Sequence, residues 1–306
     1  MISSDKLSYI KTCVVAIGLV EAKENSIEPL AIVGSGFFVK REGIVMTAAH
    51  VFRACQPKYE EFLTKGLETA VAAFHVIPNN EGFDLNVLPI PYMKVPELSK
   101  NEPISKTFDI GIGIPKEYCK YVPHLENKLF DNSILYKDIL ISGYPSGNLS
   151  LNKDENSLRL SPTIQFGRVT GLMPTDTYHT PWAVQTDIVG TGGSSGSPLI
   201  DPTDGKVIGI AQRVLPTTID GDFFGFTREV GNDSKSVTGK FGASAHIGLL
   251  YGNTSHYFHD LPEKVKEGHD KGSNGTKYEI PTVGAELVKL KTGPLEVNKN
   301  IAQSRQ

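Results

Sequence analysis

Apolar positions along this chain come in short runs, each broken within a few residues by Gly, Pro, Asn or Asp. Runs of that length bounded by turn formers predict strands rather than long helices. The expected strands lie at 13–20, 31–40, 44–48, 71–77, 108–114, 136–142, 163–172, 182–188, 197–200, 206–215 and 243–250. One connection is sharp: Asp201-Pro202-Thr203-Asp204-Gly205 joins Pro198-Leu199-Ile200 to Lys206-Val207-Ile208-Gly209-Ile210-Ala211. An Asp-Gly pair between two apolar runs predicts a hairpin. Residues 58–70 have the composition of a short surface helix. Strand and helix do not alternate regularly, which argues against a parallel α/β sheet and for an antiparallel barrel or sandwich. The expected fold class is therefore all-β. No repeat of solenoid period runs through the chain. From about Leu261 the apolar residues thin out, and 265–279 has a linker composition. A folded domain over 1–260 and a polar C-terminal extension over 261–306 are expected.

The run Cys13–Val20 has two readings. Lys6 and Lys11 precede it, and Val20-Glu21-Ala22 loosely fits a signal-peptidase site. Yet the run is only eight residues long, rich in β-formers, and followed by Glu21, Lys23 and Glu24. The strand reading is put first, which leans toward a cytoplasmic location. A signal peptide over 1–22 would instead mean a secreted or periplasmic protein. No run approaches the roughly 18 apolar residues that cross a bilayer.

At 306 residues the chain can bury a full core without disulfide or metal staples. Cys13, Cys55 and Cys119 show no CxxC or Cys/His spacing. They read as small buried hydrophobes rather than as a disulfide framework or zinc ligands. Lys and Arg number 31 against 34 Asp and Glu, a net charge of −3, so no basic excess exists to grip a phosphate backbone. Aromatics at 8% are too few for a base-stacking platform. Nucleic acid is not an expected partner.

Three segments carry candidate chemistry. The first is Gly34-Ser35-Gly36-Phe37-Phe38-Val39 followed by Ile44-Val45-Met46-Thr47-Ala48-Ala49-His50. The second is Phe108-Asp109-Ile110-Gly111-Ile112, and the third runs from Thr186-Asp187 through Gly192-Gly193-Ser194-Ser195-Gly196-Ser197-Pro198. Singly, each has a bland explanation: a structural histidine, a turn aspartate, a glycine-rich loop. Together they supply one chemistry. A serine hydroxyl is a poor nucleophile until an imidazole accepts its proton. The imidazole needs a carboxylate on its other nitrogen to fix the tautomer and stabilise the imidazolium. The developing oxyanion needs preorganised donors, and Gly193 allows the bend that aims the amides of residues 193 and 195 at one point.

Thr47-Ala48-Ala49-His50, Asp109-Ile110 and Gly193-Ser194-Ser195-Gly196-Ser197-Pro198 resemble the signature segments of chymotrypsin-like (trypsin-fold) serine proteases, closest to the HtrA/Deg and glutamyl-endopeptidase branches. Gln185-Thr186-Asp187, the hairpin ending at Gly209-Ile210, Gly143-Tyr144-Pro145-Ser146-Gly147 and Gly167-Arg168-Val169-Thr170-Gly171 follow in HtrA-like order. The resemblance spans about 10–250. It implies two six-stranded antiparallel β-barrels with the site in the cleft between them. It also implies a triad of His50 as base, Asp109 as orienter and Ser195 as nucleophile, with an oxyanion hole at Gly193, Ser194 and Ser195. No metal or organic cofactor is implied. The expected partner is a polypeptide substrate, with regulation by a partner protein or by self-association left open. The 261–306 tail is too short for the PDZ domain that HtrA proteins usually carry.

Departures from the family pattern bear on specificity. Ser194 stands where trypsin-type zymogens have an Asp that pairs with a new N-terminus, and Ile32-Val33-Gly34 reads as an internal strand. Val189 stands where trypsin has an acid, so cleavage after Lys or Arg is not expected. Glutamyl endopeptidases have a His where this chain has Ala211, although Arg213 would share a strand face with it. The expectation is a small or medium apolar residue before the scissile bond. Val189 would form the pocket base, and Ala211, Arg213, Val214 and Leu215 the wall and the substrate-pairing strand.

Gly192-Gly193-Ser194-Ser195-Gly196 also fits a G-x-S-x-G elbow, but a hairpin rather than a helix is expected after it. Asp84 is the alternative acid, set in an apparent turn at 81–84, and Asp187 reads as structural. His256 and His259 near Asp260 lack a third ligand pattern. A catalytically silent trypsin-fold binding module stays open as the second class.

Overall fold

The computed structural model describes residues 2–214 and 248–270, apart from 24–25, 80–81, 96–108, 117, 146–150, 153–156, 159, 178, 256–257 and 259. The first half contains α1 (Ser4–Cys13), β1 (Val14–Lys23), β2 (Ser26–Phe38), β3 (Val45–Thr47), α2 (Ala49–Thr64), β4 (Thr69–Asn79), β5 (Gly82–Pro89), β6 (Tyr92–Lys94) and β7 (Gly111–Ile114). Its strands form one antiparallel seven-stranded sheet in the order β5-β4-β1-β2-β3-β7-β6. The second half contains β8 (Asp138–Gly143), the short β9 (Leu151–Asn152) and β10 (Ser157–Leu158), β11 (Thr163–Met173), β12 (Ala183–Gly190), β13 (Pro198–Ile200), β14 (Val207–Val214), β15 (Gly248–Thr254) and α3 (Leu261–Asp270). Six of these strands close a barrel in the order β11-β12-β15-β14-β13-β8. The fold is all-β in the trypsin-like double-barrel manner. The first unit departs from the expected six strands: it has seven, with β5 and β6 at its edges.

β1 is an interior strand, hydrogen-bonded to β2 on one side and β4 on the other. Its residues Val14 to Val20 are all buried, which is why they form an unbroken apolar run rather than an alternating one. β12 does alternate, with Ile188 inward and Val189 half exposed. Ile139, Ile141, Val169, Val184, Leu199, Ile208 and Leu250 fill the barrel as a core of their own. The predicted hairpin is present: β13 pairs antiparallel with β14, and Gly205 N–H donates to Asp201 O at 2.8 Å. Lys128 Nζ holds the turn from outside, 2.6 Å from Asp201 and 2.9 Å from Asp204.

The helices depart most from expectation. α2 runs over Ala49–Thr64 instead of 58–70, and β4 already begins at Thr69. Val51, Phe52, Cys55 and Tyr59 form its buried stripe. α1 precedes β1, capped by Ser3 Oγ, which accepts the Lys6 N–H at 3.3 Å. It is stitched to the later chain: Lys6 Nζ donates to Asp204 O in the second half at 2.5 Å, and Tyr9 Oη to His124 O in the connection between the halves at 3.0 Å. α3 lies at the start of the polar tail, yet it buries Val265 in the first-half core and pairs Glu263 with Lys40. Among the described residues, no helix is long and apolar enough to cross a membrane.

Candidate active site

His50 is the second residue of α2, and the aspartate that pairs with it also starts that helix. Ala48, at the N-cap position, offers no side-chain cap. The cap comes from 59 positions away: Asp109 O accepts the Ala49 N–H at 3.1 Å, and Asp109 Oδ1 accepts the His50 N–H at 2.7 Å. A carboxylate at a helix N-terminus satisfies orphan amides and meets the positive end of the dipole. The other carboxylate oxygen, Oδ2, hydrogen-bonds His50 Nδ1. Burial alone pushes the Asp109 carboxyl up. The His50 ring and amide, with Arg53 Nη1 at 3.7 Å, outweigh that and hold it below the ordinary aspartate value. Asp109 is therefore the ionised, acceptor-only partner that fixes a proton on His50 Nδ1 and leaves Nε2 as the free base nitrogen.

Ser195 lies between β12 and β13, in a loop whose peptides are fixed one after another. Ser194 N–H donates to Thr191 O at 3.1 Å, closing a turn in which Gly193 takes φ +91°. Ser194 O accepts the Ser197 N–H at 3.1 Å, which turns the Ser195 N–H the opposite way across a trans peptide. Gly196 N–H donates to Ala211 O at 2.8 Å. Among the described residues, the amides of Gly193 and Ser195 donate to no backbone carbonyl. Gly196 has φ +87°, and a Cβ on it would collide with Ser35 O and Thr47 Oγ1. This close approach seats the Ser195 loop against the β3–α2 corner that carries His50. Ser195 Oγ donates to Gln212 O at 3.3 Å and makes no hydrogen bond to the His50 ring.

The structure thus joins His50 and Asp109 directly and brings the Ser195 loop against the same corner. Of the candidate specificity residues, Val189 is half exposed on β12, and Ala211 is fully buried on β14. A register shift falls between Ala211 and Arg213, so the simple alternation that set these two on one face is interrupted. Val214 ends β14, and Leu215 lies outside the described residues, as do His256 and His259. Asp84 is in strand β5, opposite Ile77, not in a turn. Asp187 accepts the Arg168 N–H at 2.6 Å and ties β12 to β11. No group of three His, Cys, Asp or Glu side chains able to hold a metal occurs among the described residues.

Three residues escape a sequence reading. Asn253 on β15 reaches out of the barrel, and its Oδ1 accepts the Asp109 N–H at 3.0 Å. Arg53 lies one helical turn after His50, beside the same carboxylate. Ser35, in β2, touches the nucleophile loop at two points. Only Ser35 had a visible signal, a serine flanked by glycines in an apolar strand.

The trypsin-like peptidase domain family matches residues 34–210, more than half of the chain. No curated protein sequence matches. Among solved structures, Deg5 is similar over 68% of this chain and 83% of its own, at 19% identity and a TM-score of 0.44. The apo MamO protease domain from Magnetospirillum magneticum is similar over 86% and 98%, at 12% identity and 0.45. The HtrA-type protease AlgW with decapeptide is similar over 88% and 68%, at 15% identity and 0.48.

Proposed function

The chain belongs to the trypsin-like peptidase domain family, and from that membership we propose that it is a serine endopeptidase working through an acyl-enzyme on Ser195. The observation that carries this reading is the His50–Asp109 pair. One carboxylate binds both the ring and the backbone amide of a histidine 59 positions away, at a helix start beside the Ser195 loop. His50 Nε2 takes the Ser195 proton as Oγ attacks the substrate carbonyl, and Asp109 stabilises the imidazolium that results. His50 then protonates the leaving amine, and water admitted after its departure releases the acyl group by the same route reversed. The amides of Gly193 and Ser195, uncommitted to backbone carbonyls, receive the oxyanion. Each such donor is worth about 3 kcal/mol in the transition state.

Val189 sets the primary pocket, and its exposed apolar side chain favours a small or medium apolar residue before the scissile bond. β14 pairs with the substrate backbone. The resting contact of Ser195 Oγ with Gln212 O supports gating: the hydroxyl turns toward His50 when substrate or a partner protein occupies the cleft.

A fluorophosphonate probe is expected to label the native protein and not Ser195→Ala. Labelling that survives this change moves the nucleophile elsewhere. An unlabelled native protein, with and without added polypeptide, sinks the catalytic reading and leaves a binding module. In a peptide library, dominant cleavage after Arg or Lys overturns the pocket assignment.

A further inference from the structure

We infer that Ser35, a residue of the sheet that carries His50, is the positioning residue that holds the oxyanion loop of the neighbouring barrel in its working shape. The inference rests on the serine-peptidase reading and names what keeps that site assembled. Ser35 is fully buried on β2, and every polar group it has is committed. Its N–H donates to Ser195 O at 2.8 Å. Its hydroxyl donates to Gly193 O at 2.7 Å and accepts the Tyr144 N–H, just beyond β8, at 2.8 Å. Its own carbonyl accepts from Thr47 Oγ1 at 2.5 Å, three residues before His50.

The consequence follows from peptide planarity. The peptide joining Gly193 to Ser194 is gripped at both ends, its C=O by Ser35 Oγ and its N–H by Thr191 O. The peptide joining Ser195 to Gly196 is gripped likewise, its C=O by Ser35 N–H and its N–H by Ala211 O. A rigid plane held at two points cannot rotate without breaking both bonds. The two fixed planes bracket the Ser195 amide, which is aimed by default rather than by substrate, and the Gly193 amide hangs from the first of them through the Gly193 Cα. A loop of small residues (Gly192, Gly193, Ser194) has little packing of its own to do this. Ser35 therefore acts through the loop and never touches the reacting atoms. Catalysis depends on donor aim to within fractions of an ångström, so loss of the Oγ grip is read in turnover more than in substrate binding.

The test compares wild type with Ser35→Ala and Ser35→Cys. Cysteine keeps the shape but donates weakly. Ser35→Ala is expected to lower kcat by about 10- to 100-fold with KM moved by less than about threefold. Inhibition by a peptide boronate, whose tetrahedral adduct uses the oxyanion donors, is expected to weaken in step with kcat. Ser35→Cys is expected to fall between and stands in for Ser35→Ala if that variant does not fold. A folded variant with kcat within twofold of wild type overturns the inference. Amide hydrogen exchange over 190–197 gives a readout that needs no activity. Exchange at Ser194 is expected to quicken about tenfold in the variant, and unchanged exchange overturns the inference even if the wild-type protein proves catalytically silent. Silent wild type with quickened exchange refutes the peptidase reading alone.

Discussion

Replacing Asp109 by Asn separates chemistry from scaffolding, because the new side chain keeps the shape and one acceptor. Its amide oxygen can still receive the His50 N–H, now made at 2.7 Å, so the start of α2 survives. The other position of the side chain now carries an NH2 where Oδ2 accepted from His50 Nδ1. A donor facing Nδ1 forces the ring proton onto Nε2, the nitrogen that in the proposed mechanism must be bare to take the Ser195 proton. The negative charge that stabilises the imidazolium disappears as well. A loss of that kind costs about 10⁴ in kcat, or about 5 kcal/mol of barrier. The cost to folding is far smaller. A carboxylate at a partly buried helix start contributes about 0.3–2 kcal/mol, which lowers Tm by only a few degrees in a chain of this size. Steady-state peptidase kinetics and a thermal melt on the same sample check both numbers. Asp84→Asn on β5 is the control and should change neither. A folded Asp109→Asn protein that loses less than tenfold in kcat would refute the tautomer reasoning.

Gly196→Ala should destabilise far more than Gly66→Ala in urea unfolding. Both residues have positive φ, for which a side chain costs about 1–2 kcal/mol, but only at Gly196 does the new methyl meet Ser35 O and Thr47 Oγ1. Equal losses would mean that the close seating of the nucleophile loop is absent in solution. Acid should weaken the fold through Asp109 and Asp201. Burial pushes the Asp201 carboxyl up too, but Lys128 and Thr203 overcome it and hold it below its ordinary value. Carboxyls lowered in this way contribute stability in full above the unfolded aspartate value of about 3.9, and that stability is lost as pH falls through their lower folded values. Urea melts from pH 7 down to pH 2 should therefore show a decline confined to pH below about 4, attenuated in Lys128→Met. A decline already complete at pH 5 would rule these groups out.

Strand content was legible because burial here is decided locally. The alternation at 182–188 and the Asp-Gly turn at 204–205 carry their own instructions. α2 did not, because its cap is Asp109, far along the chain. Without a capping side chain at Ala48, nothing local marks a helix start at Ala49, and composition places the expected helix at 58–70, beyond Pro57. α1 had a readable cap in Ser3 and Asp5, but Lys6 and Lys11 drew attention to a leader instead. β5 was missed although Phe83-Asp84-Leu85-Asn86-Val87 alternates apolar and polar residues, because Glu81-Gly82 and Asp84 read as a turn. In the site, residue types in the order His, Asp, Ser could be read from the chain. Ser35, Arg53 and Asn253 could not be assigned, since Ser35 and Asn253 act across the seam between the two halves and Arg53 acts on a carboxylate far along the chain, and none of these contacts has a periodicity.

The stitching of α1 to the β13–β14 hairpin sets an order of events during biosynthesis. Lys6 waits for Asp204, a carbonyl 198 residues further on. At ribosomal speeds of about 5–20 residues per second, that acceptor emerges some ten seconds or more after its donor. α1 thus completes its docking late, and the Lys6 contact reports that the distant hairpin is in place. Until then α1 is held by its earlier contacts alone, Tyr9 to His124 among them.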